Sequence, residues 1–302
     1  PDTFIGESTL MECISFMDST PSAGMCGVSM LKVDGTFAPE SRRGVPTPFV
    51  AFCKMSGLGT LFPKSRVFGC YYMQYLNRYS INQIEIVSGA FMFIRKEALN
   101  KVGLLDETFF MYGEDIDLSY RVLKGGYQNY YLPLQILHYK GESTKKDSIR
   151  YINAFHKAMI IFFKKHFAHY SFLYSFFITV VIVAKGMMAY VVQKANALSS
   201  QHRRKRHQRF LLVGDGCNLE DMKALADKHR LDYDVFHSRM GDMPSTDVLY
   251  RNYNYVVFDT SRYTFGAILD FFKQNETKQH DTKMATYLPS CRSIITFQGA
   301  IT

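Results

Sequence analysis

Three acids, Glu114, Asp115 and Asp117, fall within four residues where a helical apolar pattern begins at Ile116 and continues through Leu118, Tyr120, Val122 and Leu123. The pattern stops at Gly125-Gly126, so Asp115 is expected in or near the first turn of a helix. At that position unpaired backbone N–H groups and the positive end of the helix dipole favour an ionised carboxylate. An ionised carboxylate can take a proton from a hydroxyl group. The same residues also suit a plain helix start, with Asp117 pairing Arg121 one turn on.

The elements that must place these acids are legible on both sides. Val87 to Ile94 is apolar with a Gly89-Ala90 entry and reads as a strand, and Arg95 to Val102 reads as a helix ended by Gly103. Downstream, Tyr130-Tyr131-Leu132-Pro133 leads to a short strand, Ile136-Leu137-His138, followed by Gly141-Glu142-Ser143. A histidine so placed is either a satisfied structural residue or a ligand for a metal.

Upstream, Glu7 to Asp18 reads as a helix with Leu10, Ile14 and Met17 inward and Ser8 as cap. Asp34-Gly35 marks a tight hairpin turn. Ser41 to Arg66 is irregular and rich in Arg, Pro and Gly, and an irregular stretch of that length in a compact domain is usually functional. The aromatic run from Tyr71 to Tyr79 suits packing as well as a carbohydrate platform.

The ordered set Gly89-Ala90, Arg95-Lys96-Glu97, Val102-Gly103, Asp106-Glu107, Phe109-Phe110-Met111, Glu114-Asp115-Ile116-Asp117, Arg121, Gly126-Tyr127, Pro133 and His138 resembles the second half of family 2 glycosyltransferases with the GT-A fold, above all their rhamnosyltransferase-like members. The resemblance covers residues 1–150. It implies an inverting transfer in which Asp115 is the general base and Glu114 orients the acceptor or supports Asp115. It places Arg42, Arg43 and Gly89 near the donor diphosphate. Pro1-Asp2 looks like the end of the family's Asn-Pro-Asp motif, so Asp2, with His138, is expected to hold a divalent metal, Mn or Mg. The same likeness implies that about ninety residues of a nucleotide-binding half precede Pro1.

Composition agrees with a folded chain: of 302 residues, 47% are hydrophobic and 15% aromatic, enough for real cores, which excludes global disorder. Six cysteines without paired spacing argue against a zinc site or disulfide scaffold and fit a reducing compartment. Residues 151–208 contain an amphipathic stretch, an uncharged run from Phe172 to Ala184 that continues past Lys185 to Val192, and a basic block from His202 to Arg209. A spanning helix, an interfacial helix and a buried helix compete for this segment. Both flanks are basic, which a single span does not accommodate under the positive-inside rule, and this favours a helical segment on an anionic membrane surface. Nucleic acid is not expected as a partner, because no recognition motif accompanies the basic block.

Residues 209–302 alternate strands (Phe210–Val213, Tyr233–Phe236, Tyr255–Asp259) with helices (Leu219–His229, Phe265–Phe272), implying a second, parallel α/β domain. It resembles the Rossmann-like domain of some bacterial sugar-phosphate transferases, with Gly214 and Gly216 as a possible ligand loop. The chain ends amid strand-like sequence, so its C-terminus is also expected to be cut.

The expected whole is therefore a partial GT-A domain, a membrane-associated helical segment and a small Rossmann-like domain. It would work at the cytoplasmic face of a bacterial inner membrane in surface polysaccharide synthesis, using a nucleotide-sugar donor and a saccharide or lipid-linked acceptor. The rival expectation is a non-catalytic membrane-attached scaffold or ligand-binding protein acting through residues 209–302.

Overall fold

The structure, a computed structural model, describes residues 3–139, 149–168, 208–238, 242–245, 247, 253–273 and 282–302. Two sheets organise these residues. The first comprises β1 (Thr3–Ile5), β2 (Ala23–Leu31), β3 (Asn82–Ile84), β4 (Phe93–Ile94) and β5 (Gln128–His138), in the order β1-β5-β2-β4 with β3 also on β5. β2 and β5 run parallel, while β1 and β3 are antiparallel to β5 and β4 is antiparallel to β2. Every residue of β2 is buried, as a central strand covered on both faces requires.

Helices α1 (Thr9–Ser19), α2 (Pro48–Ser56), α3 (Leu58–Leu61), α4 (Lys96–Val102), α5 (Glu114–Lys124) and α6 (Ile149–His166) surround this sheet. Both α2 and α6 meet α5 in one core, where Val45, Ala51, Ile86, Phe109, Ile116, Ala158, Met159 and Phe162 pack together.

The second sheet holds β6 (Arg209–Gly214), β7 (Asp232–His237), β8 (Tyr255–Asp259), β9 (Lys283–Leu288), β10 (Ser293–Thr296) and β11 (Gly299–Ile301), in the order β11-β10-β9-β8-β6-β7. Strands β7, β6, β8 and β9 are mutually parallel, and β10 and β11 add an antiparallel edge. Helices α7 (Gly216–Lys228) and α8 (Phe265–Lys273) connect its strands.

Helix α8 joins the two sheets. Its Leu269 and Phe272 share a core with Leu31 and Leu137 of the first sheet, Tyr139 just past β5, and Val256 and Phe258 of the second sheet. Glu7 accepts from the first two backbone N–H groups of α8, Phe265 at 2.9 Å and Gly266 at 3.3 Å. The Asp34-Gly35 turn lies against the same helix. Gly35 has φ +77°, and a Cβ there would come within 2.8 Å of Phe272 Cβ, so the site accepts glycine on two counts. Beside it the Met284 N–H donates to the Val33 carbonyl at 2.8 Å.

Several local expectations change. Val87 to Met92 is not strand: the Phe91 N–H closes a turn on Ser88 O at 3.1 Å, and only Phe93–Ile94 pairs with β2. The Gly89 N–H is drawn instead toward α5. The inward face of α1 is Thr9, Cys13 and Met17, one turn apart each, leaving Leu10 and Ile14 exposed. The strand ending in His138 is continuous from Gln128. Pro133 is tolerated because the β2–β5 register shifts there, between Val28 and Ser29. Among the described residues no helix is long and apolar enough to cross a membrane. The run from Phe172 to Val192 and most of the basic block lie outside the described residues.

Candidate active site

Asp115 is the second residue of α5, whose N-cap, Gly113, has φ +89°. A Cβ on Gly113 would lie 3.0 Å from the Phe109 ring, so glycine here lets the chain turn sharply over Phe109 into the helix. The Asp115 carboxylate receives three N–H donors. Oδ1 accepts from its neighbour Ile116 N at 2.8 Å, and Oδ2 accepts from Gly89 N at 3.0 Å and from Arg43 Nη2. Arg43 Nη2 also reaches the Val87 carbonyl at 3.0 Å. One guanidinium therefore ties the 87–89 turn to the start of α5.

Gly89 faces both carboxylates. A Cβ at this position would lie 3.6 Å from Asp115 Oδ2 and 3.6 Å from Glu114 Oε1, filling the space that the two side chains border. Glu114 Oε2 is buried with no hydrogen-bond partner among the described residues. Burial, reinforced by the Asp115 charge, pushes the Glu114 carboxyl above the usual range. The adjacent acids are thus unequally satisfied: one is held by cationic and backbone donors, and the other keeps a buried oxygen that no donor among the described residues meets.

Behind Arg43 lie further ionisable groups. Burial alone would lower the Arg43 pKa, but Asp115 and the Tyr71 hydroxyl reverse the effect and raise it. Burial would also raise the Tyr71 phenol, yet Lys54 and Arg43 together bring it below its ordinary value. Lys54 Nζ stands 3.5 Å from the Tyr71 ring centroid. The aromatic run had suggested packing for Tyr71, and no local spacing marks Tyr71 or Lys54 as neighbours of Asp115.

Asp117, one turn from the helix start, faces away from this cluster. Its fully buried carboxylate meets Arg121 Nε at 2.7 Å, His166 Nε2 at 2.7 Å and Lys165 Nζ at 2.9 Å. Burial opposes its charge, but those hydrogen bonds prevail and hold its pKa at about 2. Arg121 also donates from Nη1 to Val102 O at 2.6 Å and from Nη2 to Leu104 O at 2.7 Å, closing the carboxyl end of α4. The expected Asp117–Arg121 pair is present, and the bonds to α6 are additional. The basic end of α6, Lys164-Lys165-His166, was the available signal for them.

The other expected site residues disperse. Arg42 and Arg43, expected near a diphosphate, are both buried and turned onto protein acceptors. Arg42 Nη1 donates to Leu76 O at 2.5 Å, and its guanidinium lies over the Phe37 and Tyr131 rings. His138 ends β5 opposite Thr3, so the sheet register brings it to the neighbour of Asp2, which itself lies outside the described residues. No group of three or more metal-ligating side chains occurs among the described residues. Gly214 and Gly216 border the turn from β6 into α7. A Cβ on Gly214 would press within 2.8 Å of Met222 Cε, giving that glycine a packing role, whereas Gly216 (φ +60°) is open. Across from them, Asn218 Nδ2 bonds Asp259 Oδ2 at 3.0 Å and Ser261 Oγ at 2.8 Å.

A model of glycosyl transferase family group 2 matches residues 1–199. Curated relatives include the N-acetylglucosaminyl-diphospho-decaprenol L-rhamnosyltransferases of two Mycobacterium tuberculosis strains, CDC 1551 / Oshkosh and ATCC 25618 / H37Rv. Each is 30% identical over 163 residues, covering 54% of this chain and 52% of the relative. The chain thus spans about half the length of the curated relatives it matches. No solved structure gives a significant match.

Proposed function

The chain belongs to glycosyl transferase family group 2, and from that premise we propose an inverting sugar transfer in which Asp115 is the general base. The observation that carries this reading is the Asp115 carboxylate, fixed by three N–H donors beside a glycine that leaves the space next to it unfilled. Three donors hold the carboxylate aimed before substrate arrives. As the acceptor oxygen bonds to the anomeric carbon, its proton passes to Asp115, and the bond from that carbon to the nucleotide diphosphate breaks on the opposite face. Glu114, with its solvent-starved oxygen, is suited to orient the acceptor by a hydrogen bond.

A nucleotide-linked sugar is the donor in this reading. The relatives' name, which specifies a decaprenol-linked diphosphosaccharide, supports a lipid-linked saccharide as acceptor. Synthesis of surface polysaccharide at the cytoplasmic face of a bacterial membrane follows as the proposed setting. A divalent ion, Mn or Mg, held by Asp2 and His138 would neutralise charge on the leaving diphosphate. The pairing of Thr3 with His138 supports that placement. We further propose that residues 209–302 form a Rossmann-like ligand-binding unit, because Gly216 and the Asn218–Asp259–Ser261 cluster meet at the carboxyl ends of β6 and β8.

The test is transfer from nucleotide-linked rhamnose and other nucleotide-linked hexoses to a polyprenyl-diphosphate-linked N-acetylglucosamine by the protein carrying these residues. Asp115→Asn is expected to lower turnover by about 10²–10⁴-fold while donor binding persists. Near wild-type turnover in that variant would remove Asp115 from the base role.

A further inference from the structure

Between Glu40 and Glu85 the chain contains no acidic residue, yet it carries Arg42, Arg43, Lys54, Lys64, Arg66 and Arg78. This acid-free span includes α2 and α3, and its outward side is apolar. Phe49, Phe52, Leu61, Phe62 and Val67 are 44–72% exposed. Phe49 and Phe52 stand three residues apart on α2 and are exposed, whereas Ala51 and Cys53 of the same helix are buried. Phe62 and Phe68 pack at 5.7 Å between ring centroids, and Lys64 and Arg66 between them are exposed. Large aromatic and aliphatic side chains interleaved with cations, and no anion, suit a surface that is apolar just below a layer of negative charge.

We propose that α2, α3 and the turn to Val67 are a docking face for an anionic lipid bilayer. The aromatic residues would enter the headgroup boundary while Lys64 and Arg66 meet lipid phosphates. Charge decides this occupant over a second copy of the chain, since an acid-free basic face repels its own image. The face also has a place in the proposed reaction. Ala51 of α2 shares a core with Ile116, the residue after Asp115, so docking would bring the base toward the membrane surface where a lipid-linked acceptor resides. The functional consequence rests on the transfer reading, whereas the docking itself does not.

The chain has no tryptophan, so a single Phe62→Trp substitution in the full chain reports on this face alone. Its emission is expected to be solvent-like in buffer. It should shift to the blue with vesicles of phosphatidylcholine plus phosphatidylglycerol, respond much less to phosphatidylcholine alone, and be quenched by brominated lipid. His229→Trp, on an exposed position of the second unit, should show no shift. The double variant Phe49→Ser/Leu61→Ser should require at least about tenfold more anionic lipid for half-binding. Lys64→Gln and Arg66→Gln should each weaken binding by about fivefold.

Blue emission from Phe62→Trp without lipid would overturn the proposal. If independent of protein concentration it would mean that the chain covers its own face, and if concentration-dependent, that a second copy does. Vesicle binding by the Phe62→Trp variant with no change in its emission would overturn it too, placing membrane contact elsewhere. Phe49→Ser/Leu61→Ser should also raise KM for a polyprenyl-linked acceptor while leaving KM for a short-chain, water-soluble acceptor unchanged. The vesicle measurements read docking whether or not sugar is transferred, so the two proposals fail separately.

Discussion

At Asp115 the strongest local interaction is with Arg43, whose cationic group is buried beside Tyr71. Removing one member of a buried ion pair leaves the other uncompensated, at a cost of about 3–5 kcal/mol. Arg43→Gln is therefore expected to lower both stability and turnover. Arg43→Lys keeps the charge but cannot present one planar group to Asp115 and Val87 O together, so it should retain most stability and lose turnover. Equal recovery of both by lysine, in thermal melts and initial rates, would mean that only charge matters here. Glu114 behaves oppositely. Because its folded pKa is raised, the charged form is penalised above the ordinary value of 4.5, and folding is weakened at neutral pH by that amount. Glu114→Gln should raise the melting temperature at pH 7 by about 2 °C, lose that advantage below about pH 4, and reduce transfer.

Helix α5 presents one acid to the site and another to its own support. Asp117 fastens α5 to the end of α6 and, through Arg121, to the end of α4. Its folded pKa of about 2 lies below the ordinary 3.8, so its stabilising effect is fully present above that ordinary value and drains away as pH falls toward about 2. Acid unfolding followed by circular dichroism should be steep in this window for the wild type and flatter for Asp117→Asn. Asp106, held well below the usual range mainly by Lys165, adds to the slope and remains in both proteins. Arg121→Ala should speed amide exchange in residues 103–112, the loop that leads to Glu114. Unchanged exchange there would mean that Phe109 packing alone holds the loop.

On the scale of the molecule, α8 makes the two sheets one body. Phe272 is fully buried between Leu31 and Leu137 on one side and Phe258 on the other. Phe272→Ala should cost about 3–5 kcal/mol. It should also lower one shared transition, with amides of Val28 and Val257 losing protection together. Separate transitions for the two would show that the interface is not needed by either sheet. Sequence by itself determined what depends on neighbours along the chain. Helix α5 could be read from its acids, apolar period and glycine stop, and the 209–302 alternation from buried-type strands between helices, because caps and periodicity act within a few residues. Asp115 as base candidate came instead from the ordered resemblance to family 2 glycosyltransferases, since its local pattern equally suits a plain helix start. Only the tertiary structure decided that Arg43 turns inward onto Asp115, that Val87 to Met92 gives up strand pairing to bring Gly89 N–H there, and that Tyr71 and Lys54 stand behind them. Those partners lie 26 to 72 residues apart for the two contacts to Asp115, and such contacts are selected by which buried charge needs a donor once the sheet has closed.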